Sequence, residues 1–265
     1  MRYQSVEVQS NIALGNGIYR IRLSCQRHYA HAVPGQFVMV RSGEQNDPLL
    51  PRPFSIHQLI KKNGLIDALE LLYKVVGKGT QVLSLQQPGD LLSLTGPLGK
   101  GFEIPAKVSN AMIVAGGIGV APMVFLAQTL QETKHQHISV EVYIGGRSKA
   151  DILCLSEFSA IGLSVHVTTD DGSSGDHCLV TDPLDATVAQ NCPDVIFACG
   201  PMEMLACVAG IAAKHRIGCQ VSIETMMACG MGACLGCAIA GRDSPDRYLH
   251  ACKDGPVFDT RDLII

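Results

Sequence analysis

A change of rhythm near residue 108 constrains this chain's fold more than any other feature of its sequence. Before it, short strand-like segments follow one another: "SVEVQSNIAL", "IYRIRLSC", "GQFVMVRS", "RPFSIHQLI", "LELLYKVV" and "DLLSLTGPLG". Phe37 and Met39 alternate with Val38 and Val40, and Pro34-Gly35, Pro88-Gly89 and Gly96-Pro97 punctuate the segments. Six short strands at this spacing predict a small antiparallel barrel. After residue 108, strands alternate with helices. "NAMIVAGG" leads into "APMVFLAQTLQET", and "ISVEVYIGG" into "ADILCLSEFSAIG"; "SVHVTTDDG" follows, and "DVIFACGP" leads into "MEMLACVAGIAAKHR". That alternation predicts an open parallel sheet covered by helices. The expected fold class is therefore multidomain β plus α/β, with a barrel over 1–102, a nucleotide-binding α/β domain over 103–217 and a short C-terminal region over 218–265.

Composition excludes several classes. At 265 residues the chain has room for two domains and a small appendage. A hydrophobic content of 47% with only 17% charged residues describes a well-buried globular protein. A net charge of −3 gives no electrostatic footprint for nucleic acid, and no basic run points to a membrane surface. The N-terminus has no apolar core of the signal-peptide kind, so a cytoplasmic location is expected. The longest uncharged run, "NAMIVAGGIGVAPMVFLAQTLQ", carries glycines and a proline at its centre, and reads as strand, turn and helix, not as a membrane span. Eleven cysteines without an export signal argue against a disulfide framework.

Most of these cysteines stand singly, but four do not. "ACGMGACLGC" and the later "HACKDGPVF" give the spacing Cys229-x4-Cys234-x2-Cys237-x14-Cys252. Three thiols in one loop, in this order, match the plant-type 2Fe–2S arrangement better than the paired knuckles of a structural zinc site. Zinc stays open as the alternative. Gly230, Gly232 and Gly236 let the backbone wrap closely and turn amide N–H groups toward the sulfurs. Met231, Ala233 and Leu235 are expected to keep water away.

Two further stretches read as nucleotide sites. In "RPFS", Arg52 offers a cation for phosphates and Ser55 a hydroxyl for a flavin ring. In "YKVVGKGT", the backbone N–H groups of Gly77, Gly79 and Thr80 are candidates to cradle a pyrophosphate. Together they favour a flavin dinucleotide in the barrel. "VAGGIGVAP", containing Gly117 and Gly119, follows a strand and opens a helix like a dinucleotide loop, with Pro122 where a third glycine would fall. "ACGP" brings Cys199 and Gly200 to the same edge of the sheet, where open sheets bind ligands. A core thiol is the competing reading for Cys199. Asp170 and Asp171 in "TTDDG" favour NADH over NADPH, because a carboxylate repels a 2′-phosphate and accepts from a free ribose; Arg147 and Lys149 lie close in sequence.

"RPFS", "GKGT", "GGIGVAP" and "ACGP", in that order, resemble the ferredoxin–NADP reductase superfamily. "SIETMMACGMGACLGC" with "CKDGPVF" looks like the electron-transfer subunit of the NAD-linked (type B) bacterial dihydroorotate dehydrogenases. The resemblance covers nearly the whole chain. It implies FAD contacts at Arg52, Pro53, Phe54, Ser55, Gly79 and Thr80, with Leu72, Tyr73 and Lys74 as weaker carry-overs. It also implies cluster ligation by Cys229, Cys234, Cys237 and Cys252. The implied partner is an FMN-containing catalytic subunit that oxidises dihydroorotate in pyrimidine biosynthesis, assembled as a heterotetramer of two of each chain. Barrel, nucleotide domain and cluster loop use up the sequence, so no catalytic residue for an organic substrate is expected. The chain reads as an electron carrier between NAD(H) and something outside itself, by way of FAD and a 2Fe–2S cluster. The competing readings are an NAD(P)H-dependent reductase subunit serving ferredoxin or a sulfur-reducing enzyme, and a non-redox module with structural zinc.

Overall fold

Strand β1 (Arg2–Gly15) is long enough to pair on both sides, and the first domain is organised around it. A computed structural model of the chain describes all residues except 1, 26, 43–46, 134–136 and 243–247. β1 pairs antiparallel with β2 (Ile18–Ser24) along its second half and with β7 (Leu91–Leu98) along its first. With β3 (Phe37–Ser42), β4 (Arg52–Ser55), β5 (Gln58–Lys62) and β6 (Leu65–Lys74), the order is β4-β3-β7-β1-β2-β6-β5. The stretch "RPFSIHQLI", read from sequence as one strand, forms two, and the sheet has seven strands instead of six. The chain crosses from one edge of the ladder to the other between them. Ile56 donates its N–H to the carbonyl of Gln36 at 3.0 Å, and His57 donates to that of Glu70 at 2.9 Å.

Period-two burial fills the barrel. Val6, Val8, Ile21, Leu23, Val38, Val40, Leu69, Leu71, Leu92 and Leu94 form one buried cluster. A short helix, α1 (Lys78–Ser84), links β6 to β7.

The second domain is a sheet of order β10-β9-β8-β11-β12-β15. β8 (Asn110–Gly116), β9 (Ser139–Gly146), β10 (Val165–Thr169), β11 (Val195–Cys199) and β12 (Gly218–Ser222) are parallel, and β15 (Val257–Asp259) is antiparallel to β12. β8 is buried from Ala111 to Gly116, as befits a strand covered on both faces. α2 (Ala121–Gln131) and α3 (Leu155–Ala160) cover one face; α4 (Leu184–Gln190) and α5 (Met202–His215) pack on the other. The uncharged run that could be mistaken for a span is thus β8, a tight turn and α2. Among the described residues no helix is long and apolar enough to cross a membrane.

The sequence reading ended the nucleotide domain at 217, but the sheet continues past that point. β12 and β15 lie within 218–265 and complete the sheet. Between them run the cysteine loop and a hairpin of β13 (Ala238–Ala240) and β14 (Tyr248–His250). The two domains share apolar contacts: Ile18 and Leu72 of the barrel join the α2 side of the sheet, while Phe37, Met39 and Leu98 join the other side with Cys237 and Cys252.

The turn after β8 is set by a close approach of backbones. A Cβ at Gly119 would lie 2.3 Å from the carbonyl oxygen of Cys199 at the end of β11, whereas one at Gly117 meets nothing within 4 Å. Gly117 has φ +53. Gly119→Ala is therefore expected to lower stability by about 3 kcal/mol through overpacking against rigid backbone, and Gly117→Ala by about 1–2 kcal/mol through left-handed backbone alone. Urea unfolding of both variants checks the order; an equal or reversed ranking contradicts the close approach.

Candidate functional site

One cleft of about 1660 Å³ opens between barrel and sheet. Single small-ligand sites run from about 300 to 1,000 Å³, so this cleft has room for more than one nucleotide. Its walls come from all three parts of the chain: Arg52 to Ser55 from β4, Gly116 to Gly119 from the turn after β8, and Ala228 and Gly236 from the cysteine loop.

On the barrel wall, β4 and β6 present Arg52, Pro53, Phe54, Ser55, Leu72, Tyr73 and Lys74 to the cleft together. Phe54 packs edge-on against Tyr73 with ring centroids 5.7 Å apart, and Tyr19 stacks behind Tyr73 at 5.6 Å. The Tyr73 hydroxyl donates to Asn11 Oδ1 at 3.1 Å, and burial raises its pKa against the effect of that hydrogen bond. These rings form a rigid apolar floor with no ionised group in it.

The "GKGT" turn behaves differently from the sequence reading. Thr80 Oγ1 accepts the N–H groups of Val76 at 2.9 Å and Gly77 at 3.1 Å, so the Gly77 N–H is committed within the turn. Gly77 is therefore no part of a pyrophosphate cradle. Gly79 and Thr80, in the first turn of α1, keep N–H groups that the helix itself cannot satisfy. Arg52 lies directly over Gly79, where a Cβ would come within 2.8 Å of its Nε. A side chain at 79 would displace the guanidinium from this seat. One Arg52 nitrogen donates to the carbonyl of Leu50 at 2.7 Å, which orients the fork. A guanidinium stacked on a helix start, with free N–H groups beside it, fits a phosphorylated flavin.

On the sheet wall, Gly117, Gly119, Asp170, Cys199 and Gly200 all line the cleft, gathered at the carboxyl ends of parallel strands. Asp170 and Asp171 separate here. Asp170 faces the cleft, while Asp171 accepts from the N–H and hydroxyl of Ser173 at 2.9 and 2.5 Å and does not line it. Arg147 lines the cleft and Lys149 does not. Burial pushes the Cys199 thiol up to about 12, against a hydrogen bond from Ser222 and beside Glu224, so it is a protonated thiol at neutral pH.

Sequence reasoning missed part of the lining. Ser222, Glu224, Thr225, Met226 and Met227 also reach the cleft. Their signal was present in "SIETMM", which starts at the last residue of β12, but β12 itself was not recognised as a strand of the sheet. Leu179 to Asp182, in an irregular stretch, had no such signal.

The cysteine loop hangs between β12 and β15. Cys237 and Cys252 face each other across the base of the β13–β14 hairpin, with sulfurs 3.2 Å apart, and the Cys252 N–H points at Cys237 Sγ at 3.5 Å. Cys229 Sγ accepts from the N–H groups of Met231 and Cys234, both at 3.4 Å, and Gly232 N–H reaches Cys252 Sγ at 3.1 Å. Burial opposes the Cys229 thiolate, yet these N–H groups bring its thiol down to about 6. Gly230 and Gly232 have φ +70 and +80, which lets the chain curl inward. A Cβ at Gly230 would come within 2.6 Å of Met39 on the barrel.

Donor set and spacing suit a binuclear cluster. Among the described residues the only group of three or more His, Cys, Asp or Glu ligand atoms within 4.8 Å of one another lies elsewhere. The four sulfurs therefore do not converge on one point, as a single tetrahedral zinc would require. One expectation fails: Met231 and Leu235 do not exclude water in this chain, being 48% and 57% exposed.

Comparison with known proteins agrees with this geometry. Three family descriptions match in series: an oxidoreductase FAD-binding domain over 4–102, an oxidoreductase NAD-binding domain over 113–210, and the iron–sulfur cluster binding domain of dihydroorotate dehydrogenase B over 224–264. The chain is 44% identical over 237 residues to the "Dihydroorotate dehydrogenase B (NAD(+)), electron transfer subunit" of Desulforamulus reducens, covering 88% of this chain and 87% of that one. It is 35% identical to the protein of the same name from Caldanaerobacter subterraneus, over 100% of both. A solved NADH-dependent reduced ferredoxin–NADP oxidoreductase superposes with a TM-score of 0.83 at 27% identity, covering 98% of this chain and 89% of the other. A ferredoxin NADP+ reductase from Neisseria gonorrhoeae, at 13% identity and TM-score 0.64 over 81% of this chain and 92% of the other, shares the fold. The cleft is thus built from an FAD-binding, an NAD-binding and an iron–sulfur-binding domain of an oxidoreductase. On identity and coverage alike, the chain belongs to the family of dihydroorotate dehydrogenase B (NAD+) electron transfer subunits.

Proposed function

We propose that this chain carries electrons between NAD(H) and a separate FMN-containing subunit that oxidises dihydroorotate to orotate in pyrimidine biosynthesis. One observation supports the reading above the others: the barrel, the nucleotide-binding turn and the cysteine loop line the same cleft. When bound, a flavin exchanges electrons singly or in pairs and an iron–sulfur cluster exchanges them singly, which matches hydride chemistry to one-electron transfer. The chain's own residues hold and orient these groups; none is assigned to dihydroorotate itself.

In this reading Arg52 neutralises flavin phosphates beside Gly79 and Thr80, and Pro53, Phe54, Leu72, Tyr73 and Lys74 form the wall against which FAD lies. Ser55 offers its hydroxyl to the ring. Gly117 and Gly119 let NAD approach the backbone, Asp170 receives its ribose, and Cys199 and Gly200 border the nicotinamide. Cys229, Cys234, Cys237 and Cys252 hold a 2Fe–2S cluster. The working division is a barrel over 1–102, a nucleotide-binding unit from 103 and a cluster-binding segment following β12. Met226 at 90% exposure, with Met231 and Leu235, forms an apolar rim on the cluster loop that suits a partner surface. In this reading the rim meets the catalytic subunit, in a cytoplasmic complex of two such chains with two catalytic subunits. The relatives' names, and the match of 224–264 to the dihydroorotate dehydrogenase B domain, favour this partner over ferredoxin or a sulfur-reducing enzyme.

Three outcomes are expected. Arg52→Ala removes a charge-assisted phosphate contact worth about 1.5–3 kcal/mol, so the FAD dissociation constant rises tenfold or more; unchanged retention on gel filtration, or FMN in place of FAD in the extract, contradicts the assignment. NADH is preferred to NADPH in dye reduction, and Asp170→Asn narrows the preference while Asp171→Asn leaves it alone; equal effects of the two contradict the geometry. The isolated chain passes electrons from NADH to dyes but does not oxidise dihydroorotate. Mixed with its catalytic subunit it supports dihydroorotate-dependent NAD+ reduction, which Cys229→Ser abolishes while part of the dye activity survives. Dihydroorotate turnover by the lone chain, or a coupled rate indifferent to Cys229, overturns the proposal.

A further inference from the structure

Outside the lining of the cleft, three side chains meet where the barrel abuts the sheet. His57 leaves β4 and is fully buried, at 0% exposure. Its Nδ1 lies 2.7 Å from the carbonyl oxygen of Ala121. A carbonyl only accepts, so Nδ1 carries the proton and Nε2 the lone pair. That Nε2 is buried and has no hydrogen-bond partner. Cys154 and Glu157 come from the other domain. Cys154 immediately precedes α3 with φ +64, a left-handed conformation unusual for a residue other than glycine. Glu157 lies within the first turn of that helix. One ligand atom from each of His57, Cys154 and Glu157 falls within 4.8 Å of the other two.

We infer that His57, Cys154 and Glu157 form a zinc-class metal site that ties the barrel to the nucleotide-binding domain. Imidazole nitrogen, thiolate sulfur and carboxylate oxygen are the ligand types zinc takes, and three protein ligands leave its fourth position to water. Around one zinc the ligand atoms sit about 3.3–3.8 Å apart, so closing on the ion asks for a contraction of at most about 1.5 Å. The outer partners of such a site are also in place. The Nδ1–H bond to Ala121 fixes the imidazole tautomer, as in metal-bound histidines generally. Arg20 and Ser156 each reach a Glu157 carboxylate oxygen at 2.7 Å, holding its orientation while leaving lone pairs over.

The charge balance is simple. The Cys154 thiol, kept protonated by burial that pushes it to about 12, releases its proton to solvent as the sulfur–zinc bond forms. A dication then meets one thiolate and one carboxylate, and the Arg20 guanidinium already paired with Glu157 leaves the group with one net positive charge. The ligands span both domains, so a bound ion stabilises their contact without touching the cleft.

The test uses the flavin- and cluster-loaded protein, treated with chelator, incubated with excess zinc chloride and desalted, with zinc and iron measured by plasma mass spectrometry. One zinc per chain is expected in the wild type with iron unchanged, and background zinc in Cys154→Ser and in His57→Gln. The thermal midpoint is expected to rise with zinc in the wild type and not in Cys154→Ser, a small change at a half-buried position. Three results overturn the inference: no zinc retained by the wild type, equal zinc in the wild type and Cys154→Ser, or zinc gained only as iron is lost.

Discussion

The pairing of β12 with β15 is the interaction on which the functional architecture depends. Gln220, Val221 and Ser222 lie opposite Asp259, Phe258 and Val257. This short antiparallel ladder anchors both ends of the cysteine segment in the nucleotide-binding sheet. Once those ends are fixed, the segment between them has few places to go. Its inner side packs on Met39 and Leu98 of the barrel, and Cys237 and Cys252 are buried in the same cluster. The cluster loop thus touches both domains, and the cleft between them gains a third wall.

A similar economy governs the nucleotide walls. Parallel strands end at one edge of a sheet, so Gly116 to Gly119, Asp170 and Cys199 converge although they are far apart in sequence. The barrel offers its own wall because β4 and β6, unpaired in the ladder, meet through Phe54 and Tyr73, with Arg52 seated over Gly79. Neither wall requires a moving part. Ion pairs across the junction, Arg20 with Glu157 at 2.7 Å and Lys74 with Asp151 at 3.7 Å, add orientation to an interface held mainly by apolar contact.

Much of this was legible in the sequence because the signals were local. Cysteine spacing, "RPFS" and "GGIGV" each lie within one turn or loop, and local chemistry survives folding. What escaped was decided by distant partners. The split of "RPFSIHQLI" depends on Gln36 and Glu70 accepting from Ile56 and His57, and no periodicity within nine residues encodes that crossing. β12 reads as an unremarkable "GCQVS" until β11 and β15 flank it. Asp170 and Asp171 are adjacent and chemically identical, yet one lines the cleft while the other accepts from Ser173 instead. The Gly77 N–H looked free because a side-chain acceptor three residues on is invisible to a backbone argument.

The central claim is that nicotinamide, flavin and cluster sites adjoin within one chain, so that electrons entering at one reach another without help. Anaerobic titration of the loaded, isolated chain with NADH, followed by electron paramagnetic resonance, tests this most directly. The account predicts a reduced-cluster signal from NADH alone, with no partner subunit present. Bleaching of the flavin with no cluster signal, in protein of full iron content, would contradict it.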